Sequence, residues 1–99
     1  MNLTVSSENK AYTIAISGRI DTLTAPELES KFREIENDAD QLIFDMHEVE
    51  YISSAGMRVI VAAHRAMAPK NGLVLRGLTK NVRTIINLTG FHKILNIEE

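Results

Sequence analysis

Hydrophobic and polar positions alternate along the first two segments of the chain. Leu3 and Val5 are interleaved with polar residues, and Tyr12, Ile14 and Ile16 are interleaved with Ala11, Thr13, Ala15 and Ser17. A period of two predicts strands, and the polar run Ser6-Ser7-Glu8-Asn9-Lys10 between them predicts an antiparallel hairpin. Gly18 is expected to end the second strand. The period then changes. Leu28, Phe32 and Ile35 recur at helical spacing behind Thr24-Ala25-Pro26-Glu27, where Thr24 can cap, Pro26 fits the first turn and Glu27 sits at the capping-box position. Asn37-Asp38-Ala39-Asp40 stops that helix, whose acidic residues read as a solvated face.

Leu42-Ile43-Phe44-Asp45 is too short and too apolar for a surface helix and predicts a buried central strand. A short polar turn is expected after Met46. From Ser54 to about Ala68 the chain is dominated by Ala, Val, Ile and Met, interrupted by Arg58, His64 and Arg65. Residues 58 and 65 share a helix face, so one narrow polar stripe meets solvent. Pro69-Lys70-Asn71-Gly72 closes this helix. Leu73-Val74-Leu75 predicts a second buried strand. Thr79 can cap a third helix carrying Val82, Ile85, Ile86 and Thr89, ended by Gly90, and Phe91 with Ile94-Leu95-Asn96-Ile97 predicts a last strand. The order β-β-α-β-α-β-α-β describes an α/β domain with a mixed, mostly parallel sheet, an opening antiparallel hairpin and helices packed on it.

Composition narrows the function classes. Ninety-nine residues suit one domain, 1–99, and 44% hydrophobic residues supply a core without staples. There is no cysteine, which removes disulfides, thiolate metal sites and a cysteine nucleophile. The net charge is -2 with basic residues scattered, unlike the basic stripe that nucleic-acid binding requires. Met1-Asn2-Leu3-Thr4-Val5 has neither a basic segment nor an apolar signal core, and no apolar run is long enough for a membrane span. A cytoplasmic protein, inserted in no membrane and needing no metal or cofactor, is the expectation.

The candidate chemistry lies at Tyr51-Ile52-Ser53-Ser54-Ala55-Gly56-Met57, where a strand hands two hydroxyls to the start of an apolar helix. Free N–H groups and the positive dipole end favour negative charge there. A serine at this place is an ordinary N-cap, and also a place where an added phosphate is tolerated. In such sheets, sites form beyond the carboxyl ends of strands, and Asp21 follows another strand end. A hydrolase would need glycines flanking the serine, but Ile52 occupies one of those positions. His47, His64 and His92 fall on different elements without a carboxylate partner at useful spacing. Ser53-Ser54-Ala55-Gly56 is also far from a phosphate-cradling loop.

Gly18-Arg19-Ile20-Asp21, Phe44-Asp45, Val49-Glu50-Tyr51-Ile52-Ser53-Ser54-Ala55-Gly56-Met57-Arg58-Val59-Ile60, and later Val82-Arg83 with Ile85-Ile86-Asn87-Leu88-Thr89-Gly90-Phe91, together resemble the STAS domain family. The match is closest to its small free-standing bacterial members, the anti-sigma factor antagonists, and covers nearly the whole chain. The resemblance implies a non-catalytic switch. The unmodified domain binds an anti-sigma factor that is also a GHKL-type serine kinase, so regulating sigma-factor-dependent transcription. Phosphorylation of one serine breaks the complex, and a PP2C-type phosphatase resets it. The family's acceptor stands two residues before the motif glycine, here Gly56, which carries the role to Ser54. Ser53 stands where the best-known antagonists have Asp, and Ala55 where they have a second hydroxyl.

The same resemblance points to Asp21, Ser53, Ala55, Gly56, Met57 and Arg58 around the partner-binding face. Gly56 either lets partner backbone approach or relieves crowding in the first helical turn. Arg58 pairs with an acidic partner or with the phosphate, or it is simply solvated. Asp21 borders the binding face or caps the turn before Thr24. Met57 reads more as core than contact, and Asp45 as a local hydrogen-bond acceptor. Relatives of the same fold also serve as small subunits of membrane-lipid transport ATPases and as stress-signalling scaffolds, without a phospho-switch. A monomer is expected, with the hairpin edge open to self-association.

Overall fold

A computed structural model describes all residues, Met1–Glu99. The strands are β1 (Asn2–Glu8), β2 (Ala11–Ile20), β3 (Gln41–Ile52), β4 (Leu73–Arg76) and β5 (Asn96–Glu98). The helices are α1 (Ala25–Ile35), α2 (Ser54–Met67) and α3 (Lys80–Thr89), and a 3₁₀ turn spans Phe91–Lys93. One five-stranded sheet takes the strands in chain order, β1-β2-β3-β4-β5. β1 and β2 pair antiparallel, and the other neighbours are parallel.

Sequential parallel strands joined by helices of the usual right-handed connection place every helix on one face. Burial bears this out. One cluster joins Leu28 and Phe32 of α1, Ile60 and Met67 of α2 and Val82 and Ile86 of α3 to Ile14, Ile16, Leu42, Phe44, Met46, Leu73 and Leu75 of the sheet. The alternate residues Thr13, Ala15, Ile43, Asp45, Val74 and Arg76 lie outside that cluster, on the opposite face. All the buried side chains are apolar. No helix is long and apolar enough to cross a membrane.

The hairpin turn is shorter than its polar residues suggest. β1 runs on through Ser6, Ser7 and Glu8, paired to Thr13, Tyr12 and Ala11. Only Asn9 and Lys10 turn, with φ of 52° and 67°. Two consecutive left-handed residues match the right-handed twist of the flanking strands, and so close a two-residue hairpin.

Two strands also outrun their expected ends. β2 passes through Gly18 to Ile20, because Gly18 at φ 98° absorbs a change of register rather than ending the strand. β3 continues through His47-Glu48-Val49-Glu50, where a polar turn was expected. Its register against β2 slips between Ala15 and Ser17 and again between Gly18 and Arg19. These irregularities bury Met46, Val49 and Ile52 three residues apart. The alternation is broken, and the segment imitates a turn.

At the C-terminal end the expected strand begins later. Phe91–Lys93 coil into the 3₁₀ turn after Gly90, which caps α3 at φ 81°. Ile94 is exposed, Leu95 fills the core, and only Asn96–Glu98 pair with β4.

Candidate functional site

The carboxyl ends of β2 and β3 lie side by side, Ile20 against Ile52, and the candidate residues follow each. Ser53 is extended (φ -90°, ψ 175°) and is the N-cap of α2. Its Oγ accepts from the Gly56 N–H at 3.2 Å. Its carbonyl accepts from the Met57 N–H at 2.9 Å, and its own N–H donates to the Ile20 carbonyl at 2.8 Å. Every polar group of Ser53 is therefore used in joining strand to helix. Ser54, the first helical residue, is exposed and takes no part in the cap. The two adjacent hydroxyls are thus distinct, one structural and one free.

Gly56 is buried and points inward. A Cβ there would meet Ile20 Cγ2 and Ile52 Cγ1 at 2.8 Å and the Ile20 carbonyl oxygen at 3.0 Å. Of its two readings, relief of crowding is the one this packing matches. Met57 is 4% exposed and belongs to the core. Ala55 is half-buried in a depression it shares with Thr22, Pro26, Glu29 and Arg58.

Asp21 organises the neighbouring loop. Its Oδ1 accepts from the N–H groups of Leu23 at 3.0 Å and Thr24 at 3.1 Å. Its N–H donates to the Thr24 hydroxyl, which lies 2.8 Å from the Arg19 carbonyl and donates to it. The expected capping role of Thr24 is thus displaced. Thr24 makes no side-chain cap for α1, since its hydroxyl is held by the loop before the helix. Glu27 correspondingly closes no capping box.

Arg19 lies over the Tyr51 ring, 4.3 Å from its centroid, and 3.8 Å from Asp21 Oδ2. The Thr24 N–H bond first of all, then the Leu23 N–H and Arg19, hold the Asp21 carboxyl below its ordinary value of 3.8. A depressed carboxylate stabilises the fold above its unfolded value, and that contribution is lost as pH falls through the lower folded value. Asp21→Asn is therefore expected to flatten the loss of stability below about pH 4, measured by urea unfolding at pH 7 and pH 3. An unchanged acid dependence would show the loop is held by other groups. Beside this loop Leu23 is 89% exposed.

Along α2 the positions Ser54, Met57, Arg58, Val61, Ala62 and Arg65 form one continuous stripe, spaced at turns of the helix. With Thr89 and Phe91 opposite, they line an open groove of about 410 Å³. Its floor is apolar, and Arg58 and Arg65 stand exposed along it two turns apart. The chain has six arginines. Arg19, Arg33, Arg76 and Arg83 each pair with a carboxylate, whereas Arg58 and Arg65 pair with none. Thr89 and Phe91 were legible only as helix and strand residues, because a groove wall from a distant segment leaves no local signal.

On the opposite face of the sheet, Asp45 and His47 do form the carboxylate–histidine pair that the sequence was not expected to hold. His47 Nδ1 lies 2.6 Å from Asp45 Oδ1, which also accepts from the His47 N–H at 3.2 Å. Residues two apart on a strand share a face, so this spacing is useful there. Partial burial pushes the Asp45 carboxyl up, but the His47 bonds and Arg76 outweigh it and leave it below the ordinary value. Neither Ser53 nor Ser54 hydrogen-bonds any histidine.

A profile of the STAS domain matches residues 2–99. The chain belongs to the STAS family. It is 23% identical over 101 residues to the anti-sigma-B factor antagonist of Staphylococcus aureus, covering 100% of this chain and 94% of that one. It is 30% identical over 100 residues to the anti-sigma-F factor antagonist RsfB of Mycobacterium tuberculosis, covering 98% and 80%. The crystal structure of an anti-sigma factor antagonist from Mycobacterium paratuberculosis superposes with a TM-score of 0.89 at 26% identity, over 98% of this chain and 84% of that one.

Proposed function

We propose that this chain is an anti-sigma factor antagonist that works as a phosphorylation-switched binding module. Unmodified, it sequesters an anti-sigma factor that is also a GHKL-type serine kinase, and so frees a sigma factor. Phosphorylated on Ser54, it lets that partner go, and a PP2C-type phosphatase restores it. Asp21, Ser53 and Arg58 border the contact face, Ala55 lies at its margin, and Gly56 and Met57 support it from below.

The observation that carries this reading is the division of labour between Ser53 and Ser54. Ser53 holds the helix cap with all its polar groups, leaving Ser54 exposed and unencumbered at the first helical position. Phosphate adds roughly -1.5 to -2 charges at neutral pH. The helix dipole and free amides offset part of that charge within the fold. A partner pressed against Ser54 has no such compensation, so the modification separates binding from folding. The names of the relatives supply the partner class.

Incubation with the GHKL kinases of the source organism and ATP, followed by peptide mapping by mass spectrometry, tests the reading. One phosphate on Ser54, lost in Ser54→Ala and kept in Ser53→Ala, is the expected result. Modification at Ser53, or at neither serine with every kinase, overturns it.

A further inference from the structure

The groove along α2 has a second property that phosphorylation alone does not use. Its floor, Met57 and Val61, is apolar, and its two cations are the only arginines of the chain without a carboxylate. The other four arginines are neutralised within the fold. At a rise of 1.5 Å per residue, Arg58 and Arg65 stand about 10 Å apart along the helix. A volume of about 410 Å³ falls within the roughly 300–1,000 Å³ span of binding clefts.

We infer that this groove receives an acidic amphipathic helix of a partner protein, with apolar side chains on Ala62 and Phe91 above the floor of Met57 and Val61, and carboxylates on Arg58 and Arg65. An amphipathic helix laid in an apolar groove presents anchors at helical spacing. Carboxylates two turns apart on it match the spacing of the two guanidiniums, and arginine offers a planar fork that suits each carboxylate. The charge also sets selectivity, because a basic helix would meet two like charges. The inference rests on the binding-module reading in taking the partner to be the anti-sigma factor. Ser54 lies at one end of the groove, so a phosphate there would place its charge beside the incoming carboxylates.

The test uses two synthetic helical peptides of one design, leucines at helical spacing with glutamate elsewhere, and a twin with lysine for each glutamate. Each is titrated into the ¹⁵N-labelled full chain. The acidic peptide is expected to shift the amides of Ser54, Arg58, Val61, Arg65, Thr89 and Phe91, and the basic twin to leave them in place. Arg58→Glu with Arg65→Glu, both exposed and unpaired in the fold, is expected to weaken the acidic peptide about tenfold or more and to admit the basic twin.

Equal binding of the two peptides, shifts confined to another face, or no shift at roughly millimolar peptide would overturn it. So would shifts at the same amides that depend on protein concentration alone, which would assign the groove to a second copy. Ser54 phosphorylation with a groove indifferent to acidic peptide would leave the switch standing and remove this inference. Acidic-peptide binding without any Ser54 phosphorylation would do the reverse.

Discussion

Ser54→Asp is expected to weaken binding of the kinase partner by on the order of a hundredfold, about 2.8 kcal/mol, while leaving the fold intact. The cause is location. A carboxylate at the first helical position meets the positive end of the dipole, which is worth about 0.3–1 kcal/mol in its favour. The Tm should therefore hold or rise by a few degrees, since 1 kcal/mol moves a domain of this size by about 4–8 °C. One residue earlier the expectation reverses. Ser53→Ala removes the hydroxyl that accepts from the Gly56 N–H, at a cost of about 1 kcal/mol in stability, and keeps the acceptor. Thermal unfolding and calorimetric binding on both variants check the pair. Unfolding caused by Ser54→Asp would make that serine structural. Unchanged stability in Ser53→Ala would deny the cap.

The largest stability effect at the site is expected from Gly56→Val. The first carbon added there would lie 2.8 Å from both Ile20 Cγ2 and Ile52 Cγ1, and 3.0 Å from the Ile20 carbonyl oxygen. The isoleucine side chains can shift, but that carbonyl is also the acceptor for the Ser53 N–H. Relief of the clash thus pulls on the bond that joins the end of β2 to the start of α2. Overpacking of this kind costs about 1–3 kcal/mol, and a branched side chain should reach the upper end. Gly56→Ala should cost less, because alanine regains about 0.5–1 kcal/mol of helix preference. Urea unfolding of the two variants, with Val worse than Ala and both below the parent, is the expected order. Full stability with lost partner binding would instead make Gly56 a contact.

The features legible in the sequence are those that act over a few residues. Ser53 and Thr79 both cap as their positions suggest, with Thr79 accepting from the Val82 N–H at 3.3 Å. Gly90 closes α3 in the left-handed conformation. The order of elements follows from the change of period along the chain. What escaped has its cause in pairing between segments. The bulges of β3 against β2 broke the alternation that marks a strand, so His47–Glu50 imitated a turn and hid the Asp45–His47 pair on a shared face. Thr24 had a helix-cap pattern, yet Asp21 and Arg19 claim its hydroxyl. The same limit governs the site. The serine pair was visible, with Ser53 as neighbour or cap and Ser54 as acceptor, because the cap bond from the Gly56 N–H to Ser53 Oγ spans only three residues. The groove's far wall, Thr89 and Phe91, comes from another helix end.

Ser54 is expected to be where charge enters without loss of the fold and with loss of the partner. The direct measurement is made on protein carrying phosphoserine at position 54 stoichiometrically, with thermal unfolding and kinase binding read on one sample. The expected result is a Tm held or raised by a few degrees and binding weakened by about a hundredfold or more. A Tm lowered by about 5 °C or more, or binding equal to that of the unmodified chain, would contradict it.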